Sequence, residues 1–270
     1  EQIAGDELHD GGDEGWIATG FHRLGGWDDE PDDKRAAEFD GQDDILKTTT
    51  ETFLGLTVGC ARCHDHMFDP ISQRNYYELL SFFRNVKPYN KPGGDTIRKT
   101  GSGEALVVTE RGNKPIETHI LIRGNAGRPG DRVEPHFPEI LGGGSPAVAA
   151  TPHSVGRRRA FASWVVRREN PLTARVMVNR LWHGHFGRGI VATPNDFGKA
   201  GSPPSNVALL DWLAHEFMTH GWSIKHLHRV IMNSRAWQRS SAGNTGNETI
   251  DPGNLHHWRA NLRRLESEAI

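Results

Sequence analysis

Both cysteines of this 270-residue chain lie within residues 60–64, which read Cys-Ala-Arg-Cys-His. This is the attachment pattern of a c-type haem, in which each thiol bonds one vinyl group and the adjacent histidine binds the iron. Two cysteines three residues apart on a helical turn share one face, as this chemistry requires. The motif therefore predicts covalent haem c at Cys60 and Cys63, with His64 as the proximal iron ligand.

Other interpretations of the motif stay open. A redox dithiol of the thioredoxin type would follow a strand, and no clear strand leads into this segment. A zinc site could use Cys60, Cys63, His64 and His66, although ligands so close in sequence would crowd a tetrahedral ion. The cysteines could also be structural, either free or joined in a local disulfide.

The motif leaves the sixth iron ligand undefined. Met67 and His66 lie too close along the chain to reach the haem face opposite His64. His22 is the first candidate, and its alternative role is a loop histidine bonded to the backbone. With iron or zinc as the metal, the candidate histidine ligands are His64, His22 and His66. Two later histidines, His183 and His185, are the next candidates for the sixth ligand. The iron could also be five-coordinate.

Composition limits the class of protein. With 36% hydrophobic and 24% charged residues, the chain fits one or two globular domains. Its formal charge of −2 gives no indication of nucleic-acid binding, and no apolar run reaches the length of a membrane span, about 18 residues. The chain lacks an initiator methionine and stops in a helix-like pattern, so we expect an internal fragment with any signal peptide outside it.

Apolar spacings of three and four predict helices in two regions. In the first, residues 43–63 read as one helix carrying both cysteines, and Ser72 caps a second helix that runs to Phe83. In the second, residues 154–235 read as four helices. We expect these to begin at Ser154, Pro171, Ser205 and Ser223.

Between these regions the pattern changes to strands. Residues 104–109 and 117–123 alternate as strands do and flank a turn near Gly112. The sequence thus predicts a mainly α fold, with two helical regions joined by a small antiparallel β insertion. The predicted domains are residues 1–95 with the Cys-x-x-Cys-His motif, 96–150 with the β insertion and linker, and 151–270.

Several polar clusters have an ordinary structural interpretation. The acidic residues between 28 and 44 fit a solvated loop better than a cation site, because no EF-hand spacing is present. Arg157, Arg158 and Arg159 fit a solvated helix start better than a phosphate site. His226 and His228 lie two apart on a predicted helix, so they face different sides and fit surface positions.

The tryptophans at 164, 182, 212, 222 and 237 fit helix packing better than a sugar-stacking platform.

Long runs of the sequence resemble two planctomycete domains of unknown function, a PSCyt-type domain followed by its PSD-type companion. The first resemblance is carried by IATGFHR at 17–23, FLGLTVGCARCHDH at 53–66 and DPI at 69–71. The second is carried by NPLTARVMVNRLW at 170–182, HFGRGIV at 185–191, TPNDFG at 193–198, LDWLA at 210–214 and GWSIK at 221–225. Asn206 and Met67 depart from the pattern, where members often have His and Lys.

The resemblance implies export of the parent protein, whose first domain often follows a cytochrome c domain. It supplies no established reaction, and some members carry modules that resemble sugar-binding domains. We therefore expect an exported c-type haem module for electron transfer or redox sensing in a periplasmic or cell-envelope protein. Its expected partner is a cytochrome c domain of the same longer chain or another redox protein. The alternative is a metal-dependent hydrolase or structural module associated with envelope polysaccharide.

Overall fold

The structure, a computed structural model, describes residues 1–8, 12–26, 28, 30–87, 96–262 and 264. Its class is the predicted one: 43% of residues are helical and 8% lie in strands. The helices are α1 (Gly12–Ala18), α2 (Lys34–Leu54), α3 (Gln73–Leu80), α4 (Arg157–Val165), α5 (Thr173–Phe186), α6 (Val207–Thr219), α7 (Ile224–Met232) and α8 (Thr245–Ile250). The strands are β1 (Ile97–Thr100), β2 (Gly103–Leu106), β3 (Thr118–Leu121) and β4 (Pro129–Val133).

The chain forms two compact units. The first comprises Glu1–Thr52 and Thr57–Asn170, and the second comprises Phe53–Leu56 and Pro171–Ile270. The first unit therefore holds the β insertion and α4 together with the Cys-x-x-Cys-His motif. The predicted domains 1–95, 96–150 and 151–270 were divided by sequence pattern, whereas the two units are divided by contacts. These domain boundaries therefore stay a prediction.

An aromatic core organises the first unit. Phe82, just after α3, stacks on Phe137 at 5.2 Å between ring centroids, and Phe137 stacks on Trp164 of α4 at 4.6 Å. Phe161 packs against both Phe82 and Phe83, and all of these rings are buried. Helix α3 enters this core after a complete N-terminal cap at Ser72, as predicted, since the Ser72 hydroxyl accepts from the Asn75 backbone N–H.

The β insertion consists of two separate hairpins. Strand β1 pairs antiparallel with β2, with Ile97 opposite Leu106, and β3 pairs antiparallel with β4, with Thr118 opposite Val133. The sequence had suggested that 104–109 and 117–123 flank one turn near Gly112, but each segment pairs with a nearer partner instead. Short connections close both hairpins, and closing a short loop costs less chain entropy.

Helix α2 differs from the single helix predicted over 43–63. It begins earlier, at Lys34, and ends at Leu54, because Gly55 adopts the left-handed conformation that terminates helices (φ +60°). A separate 3₁₀ helix, Val58–Arg62, follows and carries Cys60. Because α2 begins at Lys34, Asp40, Asp43 and Asp44 lie on this helix rather than in the predicted solvated loop. Asp29 lies outside the described residues.

Buried arginines attach helix α4 to the rest of the first unit. The Arg158 guanidinium is fully buried among the carboxylates of Asp6, Glu7 and Glu110, and Arg157 is also buried. The prediction of a solvated helix start at 157–159 was therefore wrong, because three acidic side chains neutralise this charge in the interior. The predicted cap Ser154 lies two residues too early, and Gly156 (φ +76°) is the N-cap.

The second unit is built on α5, α6 and α7. Its core is formed by buried side chains such as Trp182, Leu213 and Leu227. The predicted N-cap Ser223 is confirmed for α7, where its hydroxyl accepts from the His226 backbone N–H at 3.2 Å. Helix α6 is capped by Asn206 instead of Ser205, because the Asn206 side chain accepts from the backbone N–H of the third helical residue.

Within the described part of the chain, every helix is too short or too polar to cross a membrane.

Candidate functional site

The Cys-x-x-Cys-His motif forms an exposed turn. Val58 and Ala61 of the 3₁₀ helix are buried and fix the turn to the first unit, while Cys60, Cys63 and His64 point outward. Both cysteines are free thiols, so the interpretation as a local disulfide has no support in this structure. The turn thus presents two thiols and one imidazole at the surface.

The backbone carbonyl of Arg62 holds the turn in place. It accepts hydrogen bonds from the Tyr77 hydroxyl at 2.9 Å and from the Gln73 side-chain amide at 3.0 Å, both on α3. The Arg62 guanidinium forms ion pairs with Asp40 at 2.6 Å and Asp43 at 3.4 Å on α2. Two helices therefore position the residue that lies between the cysteines.

These anchoring groups are partly shielded from solvent. Burial raises the pKa of Tyr77 to about 12, so its hydroxyl stays a donor to the Arg62 carbonyl. Burial by itself would lower the pKa of Arg62, but its hydrogen bond to the Asp40 carboxylate and the charge of Asp43 raise the pKa above its usual value. The guanidinium of Arg62 therefore remains charged at every physiological pH.

His64 is oriented by its neighbour. Its Nδ1 lies 2.6 Å from the backbone carbonyl oxygen of Asp65, so Nδ1 carries the proton and donates it. This leaves the Nε2 lone pair directed away from the backbone, which is the arrangement of metal-bound histidines. The Asp65 carboxylate is itself fixed, because it accepts from the Gln73 backbone N–H at 2.8 Å.

His66 has a structural role. Its buried Nδ1 accepts from the backbone N–H groups of Asp69 at 2.9 Å and Phe68 at 3.3 Å, so the proton is on Nε2. Nε2 lies 3.4 Å from the hydroxyl of Thr57. Both ring nitrogens are therefore occupied, and His66 closes the loop that follows the motif.

His22 is buried in the first unit, away from solvent. Its Nε2 donates to the Ile3 carbonyl at 2.9 Å, and its ring packs against Phe83 at 6.0 Å. Burial and then the charge of Arg158 lower the pKa of His22 to about 3, so the ring is neutral. These contacts match the alternative role given to it above, a histidine bonded to the backbone. His185, a later candidate, lies in the second unit, where its Nε2 is 2.7 Å from Nδ1 of His228.

The surroundings of the turn fit a covalent haem. Gly124 (φ +71°) lies against Cys63, and a Cβ atom at this position would be 2.6 Å from the Cys63 sulfur, so glycine keeps the thiol accessible. Met67 and Phe68, which follow the motif, are 76% and 53% exposed and are the apolar side chains that this surface offers. Two exposed thiols and an oriented imidazole are the groups that would bond a haem c.

The sequence analysis missed a second cluster of possible ligands. Glu216, His220 and His226 of the second unit each offer one ligand atom, and these atoms lie within 4.8 Å of one another. The signal was present, because Glu216 and His220 are four residues apart and share a helix face. His226 was predicted to be a surface residue, because its spacing from His228 does not reveal the tight turn that brings it beside Glu216.

Two family models match separate parts of the chain. Residues 1–88 match the family model PSCyt2, a protein of unknown function (DUF1549), and residues 157–270 match PSD1, a protein of unknown function (DUF1553). No curated protein and no solved structure matched the chain. The resemblance noted in the sequence is confirmed: the chain carries a PSCyt2 region followed by a PSD1 region.

Proposed function

We propose that the turn from Cys60 to His64 binds a covalent haem c, and that the chain is an electron-transfer or redox-sensing module of a larger cell-envelope protein. The observation that carries this proposal is the exposure of both free thiols beside an imidazole whose Nδ1 is bonded to the Asp65 carbonyl. Such a histidine is oriented for iron before any haem arrives. When bound, the haem supplies a one-electron couple between ferric and ferrous iron.

The cysteines would form the covalent attachment. Each thiol would add across one vinyl double bond, with sulfur bonding one carbon and the proton passing to the other. No net oxidation occurs in this addition, and no additional oxidant is required. The exposure of Cys60 and Cys63 gives both sulfurs the access that the reaction needs.

Neighbouring residues would position the haem. The Asp65 carbonyl fixes the His64 ring and makes its Nε2 a stronger donor to the metal. Gly124 leaves room beside the Cys63 sulfur. Met67 and Phe68 would cover part of the porphyrin with apolar surface, which is worth about 25 cal/mol for each Å² removed from water.

The proposed location is the periplasm or cell envelope. Covalent attachment retains haem where a dissociated cofactor would be lost, which suits a protein outside the cytoplasm. The proposed partner is a cytochrome c domain of the same longer chain, or another redox protein that approaches the exposed turn. Both parts of this proposal rest on the motif and on the resemblance.

A zinc-dependent hydrolase or a structural module at the same turn has weaker support. A structural zinc site needs four protein ligands, and His66 is a poor fourth ligand beside Cys60, Cys63 and His64, because both of its ring nitrogens are bonded to neighbouring groups. Releasing Nδ1 would leave the backbone N–H of the buried Asp69 without its acceptor, which costs about 1–3 kcal/mol. Haem needs only the three exposed residues.

Visible spectroscopy tests the proposal. The chain is expressed in a host with cytochrome c maturation, and we expect a Soret band that the Cys60→Ala/Cys63→Ala variant lacks. His64→Ala should keep the attached haem but shift its spectrum, because the proximal ligand is lost. His153→Gln, an exposed histidine of the same unit, is the matched control and should leave the spectrum unchanged. A colourless wild-type chain would overturn the proposal.

A further inference from the structure

We propose that Glu216, His220 and His226 form a binding site for a divalent transition-metal ion, with zinc as the best match. Oε1 of Glu216 lies 2.8 Å from Nε2 of His226 and 3.2 Å from Nδ1 of His220. All three ligand atoms lie within 4.8 Å of one another. The site is independent of the haem proposal, because it lies in the second unit and uses none of the residues of the motif.

The distances suit zinc. Zinc binds imidazole nitrogen and carboxylate oxygen at about 2.0–2.2 Å, and tetrahedral geometry then separates two such ligands by about 3.3 Å. The two separations from Glu216 are close to this value, and they belong to hydrogen bonds between the ligand groups. His220 Nδ1 also lies 3.0 Å from the Glu216 backbone carbonyl oxygen, so a bound ion would displace the proton of this bond. Two imidazoles and one carboxylate are also a donor set that zinc, rather than calcium or magnesium, prefers.

The backbone brings these side chains together. Glu216 and His220 lie one turn apart at the end of α6, and Gly221 and Trp222 both adopt positive φ values (+66° and +59°) in the reversal that follows. Such a conformation is costly for a residue with a side chain. Trp222 is held there because its backbone N–H donates to the Phe217 carbonyl at 2.9 Å and its indole ring packs on the Phe217 ring.

The start of α7 fixes the third ligand. The His226 backbone N–H donates to the N-cap hydroxyl of Ser223, which places the imidazole in the first turn of the helix and beside Glu216. The ligand set thus lies within eleven residues of one α–turn–α unit. The three ligands therefore come from one local segment of the chain.

The site can open for an ion without disturbing the core. The rings of His220 and His226 are stacked at 4.0 Å with 13° between their planes, so they must turn to direct both nitrogens at one ion. Their side chains are 46% and 28% exposed, and that of Glu216 is 22% exposed, which leaves space for this rotation. Three protein ligands leave a fourth position for water or a solvent-borne ligand, as in catalytic zinc sites.

Titration with metal tests this inference. The full chain is prepared without a histidine tag and with Cys60→Ser/Cys63→Ser, so that thiols cannot bind zinc. We expect one Zn²⁺ per chain by calorimetry, and Co²⁺ should give the visible bands of a four-coordinate site. His226→Ala and Glu216→Gln should each weaken Zn²⁺ binding at least tenfold, since losing even an outer-shell partner costs that much.

The matched control is His215→Ala, an exposed histidine next to Glu216 on the same helix but outside the trio. It should change the Zn²⁺ affinity less than twofold, and circular dichroism should show that all variants are folded. Equal affinities for His226→Ala and His215→Ala would overturn the proposal. So would the absence of stoichiometric Zn²⁺ or Co²⁺ binding in the folded parent chain.

Discussion

The Arg158 guanidinium donates from Nε to Oε1 of Glu110 at 2.8 Å, and neither side chain is exposed to solvent. The same guanidinium donates to both oxygens of Asp6, at 2.8 Å and 2.7 Å, and to the Ile3 carbonyl at 3.1 Å. Burial alone would lower the pKa of Arg158, but the three carboxylates hold it above its ordinary value. One cation thus joins the N-terminal segment, Glu110 and α4.

Removing this cation should destabilise the first unit severely. Arg158→Met leaves Asp6, Glu7 and Glu110 buried without their counter-charge, and breaking a buried ion pair in this way costs about 3–5 kcal/mol. Urea denaturation, followed by tryptophan fluorescence and circular dichroism, measures the free energy of unfolding. We expect the midpoint of the transition to fall strongly in the variant.

A matched control uses an exposed arginine close to α4. Arg168→Met should change the free energy of unfolding by less than about 0.5 kcal/mol, because surface substitutions are usually small in effect. Equal midpoints for Arg158→Met and Arg168→Met would show that the buried cluster does not stabilise the unit as described.

His22 should make the first unit sensitive to acid. The folded pKa of His22 is lowered to about 3 from an unfolded value of 6.5, so below pH 6.5 the unfolded chain binds a proton that the folded chain does not. Its contribution is fully present above pH 6.5 and is lost as the pH falls towards 3, by about 1.4 kcal/mol per pH unit. Urea denaturation at pH 7, 6, 5 and 4 measures this loss.

His22→Gln isolates the effect. Glutamine cannot titrate, yet its amide can still donate to the Ile3 carbonyl, so the stability advantage of the wild type over this variant should shrink from pH 7 to pH 4. His153→Gln controls for the loss of a histidine in general. If both variants follow the wild-type pH dependence in parallel, the buried neutral state of His22 is not the cause of acid sensitivity.

Short-range signals in the sequence predicted most of the helices. Ser72 and Ser223 cap helices in the structure because a hydroxyl at the N-cap bonds the third backbone N–H, whatever the tertiary context. The apolar stripe of Leu210, Leu213 and Phe217 is buried as its spacing indicates. These features depend on residues three or four apart, so local reasoning was sufficient.

Long-range contacts were beyond local reasoning. The sequence around Arg158 indicates a solvated residue. In the structure its charge is neutralised in the interior by Asp6, which lies more than 150 positions away. The helix thought to carry both cysteines ends at Leu54, since Gly55 adopts a positive φ that the apolar stripe does not reveal. The motif itself was identified from its spacing, but the Nδ1 bond that orients His64 could only be seen in the structure.

The cap of α6 predicts a modest stability effect in the second unit. Asn206→Ala removes the side-chain acceptor for the Leu209 backbone N–H and should cost about 1 kcal/mol. Asn206→Ser keeps an acceptor and should lie within about 0.5 kcal/mol of the wild type. Thermal denaturation of the three proteins compares these costs, and an equal loss in both variants would contradict the assigned cap.

Gly124 should control access to the Cys63 thiol. Gly124→Ala places a methyl group 2.6 Å from the sulfur, so the reaction of Cys63 with a thiol reagent should slow severalfold in a Cys60→Ser background. Gly112→Ala is the matched control, since Gly112 also has positive φ but open space at its Cβ position. Equal rates in the two alanine variants would mean that Gly124 does not limit access.

The most direct test of the central claim is the intact mass of the chain after expression with cytochrome c maturation. The account predicts that the denatured protein carries the added mass of one haem, and that Cys60→Ala/Cys63→Ala carries none. A denatured wild-type chain with its unmodified mass and two free thiols would contradict the assignment of the Cys60–His64 turn as a haem attachment site.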